Sequence, residues 1–141
     1  MNKGILTLLV AASLSLQADY LRDSSKQIVL DTFSGLVWQD NAVGSMMNWT
    51  DAITTCENLE LGGYSDWRLP NYNELYQLSD RSRYNPAISP VFVNVTSSVY
   101  WSATINASVT SAAWTVNFSG GDDDWYNRVD SNYVRCVRGG Q

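Results

Sequence analysis

The clearest pattern in the chain is a set of hydrophobic residues spaced every three or four positions, as on one face of an α-helix. This face consists of Trp49, Ala52, Ile53, Cys56 and Leu59. Asn48 precedes it as an N-cap, and Asp51 adds a weak capping box. Cys56 therefore points towards the core. Gly62 and Gly63 follow, where a left-handed C-cap is expected.

A second helix is predicted immediately after Pro70, which ends the segment 66–69. Asn71 is its N-cap, and Glu74 occupies the reciprocal position of a capping box. Its buried stripe consists of Leu75 and Leu78. The two helices and the turn between them, residues 49–78, form the predicted centre of the fold.

Short strands are predicted on either side of this centre, because apolar and polar residues alternate there. Residues 27–40 indicate two strands joined at 32–35, with inward pairs at Ile28 and Leu30 and at Leu36 and Trp38. Residues 79–90 show little regular pattern.

The last third of the chain is predicted to contain only strands and turns. Residues 99–104 form one strand, and 112–118 form another with Trp114, Val116 and Phe118 on one face. Residues 120–127 indicate a turn or a long hairpin tip. Residues 133–138 close the domain, with Val134 and Cys136 on one face and Arg135 opposite. Helices early and antiparallel strands late predict a single α+β domain.

Residues 1–18 have the pattern of a secretory signal. Lys3 provides the positive start, Ile5–Leu16 is an apolar run too short to span a membrane, and Ala18 suits cleavage. The alternatives are an uncleaved anchor or a buried helix. Cleavage leaves a domain of residues 19–141, which we expect to be secreted, periplasmic or on the cell surface.

Composition limits the function classes. The chain carries 9 basic and 14 acidic residues, a net charge of −5, and loss of Lys3 with the signal makes it −6. This acidity argues against general binding to nucleic acid or anionic membranes. Only 16% of residues are charged whereas 12% are aromatic, which favours a packed domain over a disordered one.

Cys56 and Cys136 are the only cysteines. In an exported chain such a pair indicates a disulfide, although a thiol nucleophile or a metal ligand is the alternative. The disulfide would close an interval of 80 residues, which stabilises by at most about 4–5 kcal/mol. The chain has no histidine, so Ser-His and Cys-His catalytic systems are excluded. A paired-carboxylate hydrolase stays formally open, but we expect no enzyme activity.

Several segments together resemble a known bacterial family, the C-terminal domain of the Legionella collagen-like protein, whose function is unknown. The segments are Gly35-Leu-Val-Trp38, Trp49–Cys56, Gly62-Gly-Tyr-Ser-Asp-Trp-Arg-Leu-Pro70, Glu74-Leu75, Tyr100-Trp-Ser-Ala-Thr104, Ala113–Phe118 and Tyr133–Gly139. The resemblance covers roughly residues 28–139. It implies a C-type lectin-like fold related to formylglycine-generating enzymes, with two helices flanking a small antiparallel sheet and long loops forming a ligand surface. It also implies carbohydrate binding or adhesion.

The best candidate for a ligand site is the group Trp125, Tyr126, Asn127 and Arg128, beside the predicted tip. Aromatic faces stack on sugar rings or anchor protein interfaces, and the polar side chains supply directional hydrogen bonds. The alternative is that Trp125 packs under the loop. A weaker candidate group is Arg81, Arg83 and Tyr84.

Other conspicuous side chains are expected to be structural. Asp122, Asp123 and Asp124 are weak candidates for calcium, and a solvated loop tip is the favoured interpretation. In the segment Asp66-Trp-Arg we expect Trp67 in the core and Arg68 in a fixed ion pair, and we expect Arg135 and Arg138 to be exposed. No other cofactor is expected. The sequence therefore predicts a module that binds a glycan or adheres to a surface through its C-terminal loops. The alternative is a protein-interaction or envelope-assembly module that binds an extracellular or envelope protein and has no sugar site.

Overall fold

The structure is a computed structural model that describes residues 19–140. The predicted signal at 1–18 lies outside these residues. In chain order the elements are strands β1 (Tyr20–Asp23), β2 (Ile28–Asp31) and β3 (Val37–Gln39), helices α1 (Trp49–Glu57) and α2 (Tyr72–Leu78), and strands β4 (Val99–Ile105), β5 (Ala112–Asn117), β6 (Asp122–Asn127) and β7 (Val137–Arg138). The predicted α+β class is confirmed. Neither helix of this part of the chain is long and apolar enough to cross a membrane.

The strands form two small antiparallel sheets. One has four strands in the order β1-β2-β3-β7, and the other has three in the order β4-β5-β6. The C-terminal strand β7 thus returns to pair with β3, close to the start of the domain. This return joins the two ends of the described chain into one sheet.

Helix α1 begins as predicted but ends earlier. The side chain of Asn48 accepts a hydrogen bond from the Asp51 amide at 2.9 Å. The helix stops at Glu57, and Asn58 follows it in a right-handed conformation, so the predicted glycine C-cap is wrong. Gly62 and Gly63 instead have φ of 65° and 83° within a tight turn, which two consecutive positive φ values favour.

Helix α2 has the predicted capping box. Asn71 accepts from the amide of Glu74, and the Glu74 side chain accepts from the amide of Asn71. Leu75 and Leu78 are buried, as predicted. Two local residues thus fix where this helix starts, and its two leucines fix which side faces the core.

The β2–β3 hairpin is confirmed, but the burial of β2 differs from the prediction. Ile28 is buried whereas Leu30 is 38% exposed and pairs with the exposed Leu21 of β1. The turn at Gly62 covers Ile28, and a Cβ added at that glycine would lie 3.1 Å from Ile28 Cγ2. Ile28 and Leu30 lie on the same face of β2, so this face is well covered at one end only.

The region predicted as a hairpin tip, residues 120–127, is mostly strand. Asp122–Asn127 forms β6 and pairs with all of β5, so the tip is confined to residues 118–121. Trp114 is only partly buried, although Val116 and Phe118 are in the core as predicted. The predicted ligand residues Trp125 and Asn127 therefore lie on a strand rather than on a C-terminal loop.

The core lies on both faces of the three-stranded sheet. On one face Tyr100 and Val116 pack in a cluster with Leu75 and Leu78 of α2. On the other, Trp101, Ala113, Ala52 and Cys56 belong to a second cluster, which includes α1. Since neighbouring residues of a strand point to opposite faces, α2 and α1 cover opposite sides of this sheet.

The predicted disulfide is present. Cys56 and Cys136 are bonded and fully buried. The bond joins α1 to the residue directly before β7. It therefore attaches the first helix to the chain segment that closes the four-stranded sheet.

Arg135 is buried, contrary to the prediction, with 3% exposure. Its guanidinium donates to the carbonyls of Gln39 and Asn94 and to Asp40 Oδ1. The fully buried Asp40 also accepts from Arg22 Nε at 2.6 Å. The prediction assumed that residues 133–138 form one strand whose side chains alternate between two faces. Only residues 137–138 form a strand, so this alternation does not apply at Arg135.

The segment Asp66-Trp-Arg is structural, as predicted. Trp67 is 2% exposed. Arg68 donates to both carboxylate oxygens of Glu74 at 2.7 and 2.8 Å and to the Gly139 carbonyl. Asp66 pairs with Arg138, which is partly buried rather than exposed. These two ion pairs link the turn between the helices to α2 and to the C-terminal residues.

The Arg68–Glu74 pair predicts a pH-dependent stability. Burial raises the pKa of Glu74, but hydrogen bonds from Arg68 and the Asn71 amide outweigh it and hold the pKa below 4.5. The resulting stability is present above pH 4.5 and is lost as the pH falls through the lowered pKa. We expect Glu74→Gln to reduce the free energy of unfolding at pH 7 by about 2 kcal/mol. Urea unfolding at several pH values measures this difference.

The difference between the wild type and this variant should shrink as the pH falls below 4.5. Glu57→Gln is the matched control because Glu57 is exposed and forms no ion pair within residues 19–140. Its effect should stay within about 0.5 kcal/mol at each pH. A Glu74→Gln effect of equal size at pH 3 and pH 7 would contradict the ionic origin.

Removal of the disulfide is expected to destabilise the domain. The double variant Cys56→Ala, Cys136→Ala should lose about 2–5 kcal/mol, because the bond restricts the unfolded chain. Urea unfolding with and without reductant measures the loss. Reductant should lower the wild-type midpoint towards that of the variant and leave the variant unchanged. An unchanged wild-type midpoint in reductant, with the bond shown to be broken, would refute the prediction.

Candidate functional site

One face of the three-stranded sheet presents two tryptophans side by side. Trp114 of β5 and Trp125 of β6 are direct partners in the register, so their side chains project from the same face. Trp125 is 44% exposed and Trp114 is partly buried. Trp125 is therefore exposed, and the alternative that it packs under a loop is wrong, while its role in binding a ligand stays a prediction.

Helix α2 supports this pair with two tyrosines. Tyr72 lies 5.6 Å from Trp114 between ring centroids, and Tyr76 stacks on Tyr72 at 5.4 Å. The tyrosines are four residues apart and share one side of the helix. We call Tyr76, Tyr72, Trp114 and Trp125 the aromatic strip. It runs from α2 across β5 to the edge strand β6.

A carboxylate is fixed beside the exposed tryptophan. Asp123 lies two residues before Trp125 and points to the same face. Its Oδ2 accepts a hydrogen bond from the Tyr72 hydroxyl at 2.7 Å. Burial, together with the hydrogen bond to Asp123 and its charge, raises the pKa of Tyr72 to about 12. The hydroxyl therefore stays protonated at neutral pH and holds the carboxylate in place.

The other end of the aromatic strip is occupied by Arg81. Its guanidinium carbon lies 4.1 Å from the centre of the Tyr76 ring, a cation–π arrangement. Arg81 Nε also donates to the Gly121 carbonyl at 3.3 Å. The structure thus brings Arg81, from the weaker predicted group, to the same surface as Trp125. Arg83 pairs instead with Asp80, and Tyr84 is 76% exposed.

The predicted group at 125–128 does not form one site. Tyr126 points to the opposite face and packs against the cluster that contains Trp101. The Arg128 guanidinium lies 5.2 Å from the centre of the Trp49 ring. Asn127 and Arg128 line an open pocket of about 500 Å³ with Asn48, Thr50, Asp51, Ser111 and Val129. Of the four predicted residues, only Trp125 belongs to the aromatic strip.

The three consecutive aspartates do not converge. They lie on β6, where Asp123 faces the aromatic strip and its two neighbours face the other way. Asp124 accepts a hydrogen bond from the Trp125 amide. Within residues 19–140 no group of three or more His, Cys, Asp or Glu side chains is placed to hold a metal ion. The weak calcium prediction therefore has no geometric support in this part of the chain.

Three residues of the aromatic strip were missed from the sequence: Tyr72, Tyr76 and Trp114. Two signals could have found them. Tyr72 and Tyr76 are four residues apart, as on one side of a helix, and Trp114 faces Trp125 once β6 is paired with β5. The pairing of Trp114 with Trp125 was not recognised because residues 120–127 were interpreted as a turn or a hairpin tip.

The comparisons agree with the resemblance. The sequence profile described as the Lcl C-terminal domain matches residues 27–138, a range that includes every helix and strand except β1. A comparison with curated protein sequences gives no match. Because the profile covers well over half of the 141 residues, the chain belongs to the Lcl C-terminal domain family.

Proposed function

We propose that this protein is a secreted or periplasmic binding module that holds a glycan on the aromatic strip without a catalytic step. The observation that carries the proposal is Trp125, which is 44% exposed beside a fixed carboxylate. Trp125 is not an isolated exposed aromatic residue, because it lies next to Trp114 on the same face of the sheet and beside the carboxylate of Asp123. Its exposure is explained if a ligand covers it.

The aromatic strip has the two features that a sugar needs. The indole of Trp125 offers a flat apolar surface to the C–H face of a pyranose ring. Asp123 offers carboxylate oxygens as directional acceptors for hydroxyl groups. The Tyr72 hydroxyl holds the Asp123 carboxylate by a hydrogen bond, so little entropy of that side chain would be lost on binding.

We further propose a C-type lectin-like fold within the superfamily that includes formylglycine-generating enzymes. Two helices, small antiparallel sheets and a disulfide from the first helix to the C-terminal segment support this assignment. The absence of histidine and the use of both cysteines in the disulfide support a binding role over an enzymatic one.

A protein partner is the second candidate, and a different surface favours it. Leu21 and Leu30, exposed by 55% and 38%, pair across β1 and β2. With Val37 and Tyr64 they line a shallow pocket of about 290 Å³. Adjacent exposed apolar side chains of this kind are typical of interfaces between proteins. This surface would serve an interaction or envelope-assembly module that has no sugar site.

The glycan proposal predicts that Trp125→Ala weakens binding by at least about tenfold, because truncation of a central aromatic anchor costs about 2 kcal/mol or more. A glycan array on residues 19–141, followed by calorimetry on the positive sugars with and without calcium, measures this. Phe33→Ala is the matched control, since Phe33 is an aromatic residue with 65% exposure in the β2–β3 turn. Its affinity should equal that of the wild type.

No binding to any sugar by a folded, disulfide-bonded protein would overturn the lectin proposal for the sugars tested. Equal losses for Trp125→Ala and Phe33→Ala would also contradict it, because a site on the aromatic strip cannot depend on Phe33. The unfolding midpoint of each variant should be measured first, so that a loss of fold is not taken for a loss of binding.

The protein-partner candidate makes a separate prediction. A photo-crosslinking residue at position 30, in the native host, should form an adduct with one envelope protein, whereas one at position 125 should not. The reverse pattern, or no adduct at position 30, would count against this candidate. Leu30→Ser in the same chain should leave glycan binding unchanged, since Leu30 lies on the other sheet.

A further inference from the structure

The charge around Trp125 is negative. Asp123 lies on the same face of β6 as Trp125, the exposed Asp122 and Asp124 lie on the other face of that edge strand, and the whole chain has a net charge of −5. Arg81 is the cation on the same surface, but it already lies over Tyr76 and donates to Gly121. A ligand on Trp125 would therefore meet carboxylates before it meets a free cation.

Asp123 has one oxygen engaged and one open. Oδ2 accepts the Tyr72 hydroxyl at 2.7 Å, while Oδ1 accepts no hydrogen bond from residues 19–140. The engaged oxygen fixes the carboxylate, and the open one is free to accept from a ligand. A fixed carboxylate next to an exposed indole face suits an amino sugar, whose ammonium group can pair with the carboxylate while its ring lies against the indole.

We propose that the ligand is an aminoglycan, a chain of sugar units with free protonated amino groups such as oligomeric glucosamine. This inference rests on the glycan-binding function proposed above and adds the charge of the ligand. Its sugar ring would stack on Trp125 while its ammonium group donates to Asp123 Oδ1. Sulfated or uronic acid glycans would be repelled by the same carboxylates.

The arrangement of the rings favours a sugar over a basic peptide. Recognition of a lysine-type cation typically uses aromatic side chains that surround it as a cage. Here Tyr76, Tyr72 and Trp114 follow one another in contact, and Trp125 continues the row. A row of rings with one exposed indole offers a flat platform, which fits a pyranose ring better than an isolated ammonium group.

The test compares two ligands that differ only in the amine: a glucosamine hexamer and its fully N-acetylated form. Calorimetry at low salt, at a pH where the amine is protonated, should show at least about fivefold tighter binding of the amine form. Asp123→Asn should abolish this preference, because the amide still accepts from Tyr72 but carries no charge. Trp125→Ala should weaken the binding of both ligands.

Asp130→Asn is the matched control. Asp130 is exposed, lies beyond β6, and its substitution changes the net charge by the same amount as Asp123→Asn. It should leave the preference for the amine intact. If it lowers the preference as much as Asp123→Asn does, general attraction to an acidic protein explains the result and the proposed contact is wrong.

The remaining outcomes separate this inference from the function on which it rests. Equal binding of both hexamers, with loss in Trp125→Ala, overturns the aminoglycan inference and leaves glycan binding in place. If neither hexamer binds while other sugars on the array do, the aminoglycan inference is likewise overturned and glycan binding is left in place. If no sugar binds, both the aminoglycan inference and the glycan-binding function are overturned. Tighter binding of hexalysine than of the glucosamine hexamer, lost in Asp123→Asn, would assign the site to a basic peptide instead.

Discussion

Five consecutive residues near the C-terminus, 135–139, connect the separate parts of this fold. They contact residue 40, helix α1 and the turn at 66–68, and three kinds of bond are involved. Arg135 reaches the buried Asp40, Cys136 is bonded to Cys56 of α1, Val137 exchanges backbone hydrogen bonds with Arg68, Arg138 pairs with Asp66, and Gly139 accepts from Arg68. Without its contacts to residues 135–139, an element would keep its local hydrogen bonds but would no longer be held in position relative to the other elements.

The candidate site depends on this segment through a short series of contacts. Gly139 and Val137 hold Arg68, and Arg68 holds Glu74 by a double hydrogen bond. Glu74 belongs to the cap of α2, so the ion pair also determines where the helix begins. Tyr72 is the first residue of that helix and contacts both Trp114 and Asp123. The position of the aromatic strip therefore depends on a partly buried ion pair at the start of α2.

Local rules predicted the parts of the structure that need only local information. The caps at Asn48 and Asn71 involve residues three positions apart, and the cysteines had a single possible pairing. The burial of Arg135 could not be predicted in this way, because its partners Asp40 and Asn94 lie 95 and 41 residues away. An alternation rule cannot detect such a partner.

The site was located only in part for a similar reason. Asp122–Asp124 directly follow two glycines, and aspartate is disfavoured in strands, so local propensity indicated a tip. Pairing with β5 overrides that propensity along the whole of β6. Trp125 was singled out as the best ligand candidate with its exposure left open, and its neighbours in sequence were taken for its neighbours in space. Tyr126 and Arg128 in fact face other parts of the molecule.

The acidic sequence of β6 also has a structural consequence. This strand is at the open edge of its sheet, with β5 on one side only. An exposed edge with a tryptophan is a ready template for pairing with another chain, and charged side chains oppose such pairing. Asp122 and Asp124 lie on the face away from the aromatic strip, so they can protect the edge without covering Trp125. Asp123 has the same charge on the face of the aromatic strip, where we propose that a ligand binds. One run of three residues can therefore keep the edge soluble and select the charge of what binds beside it.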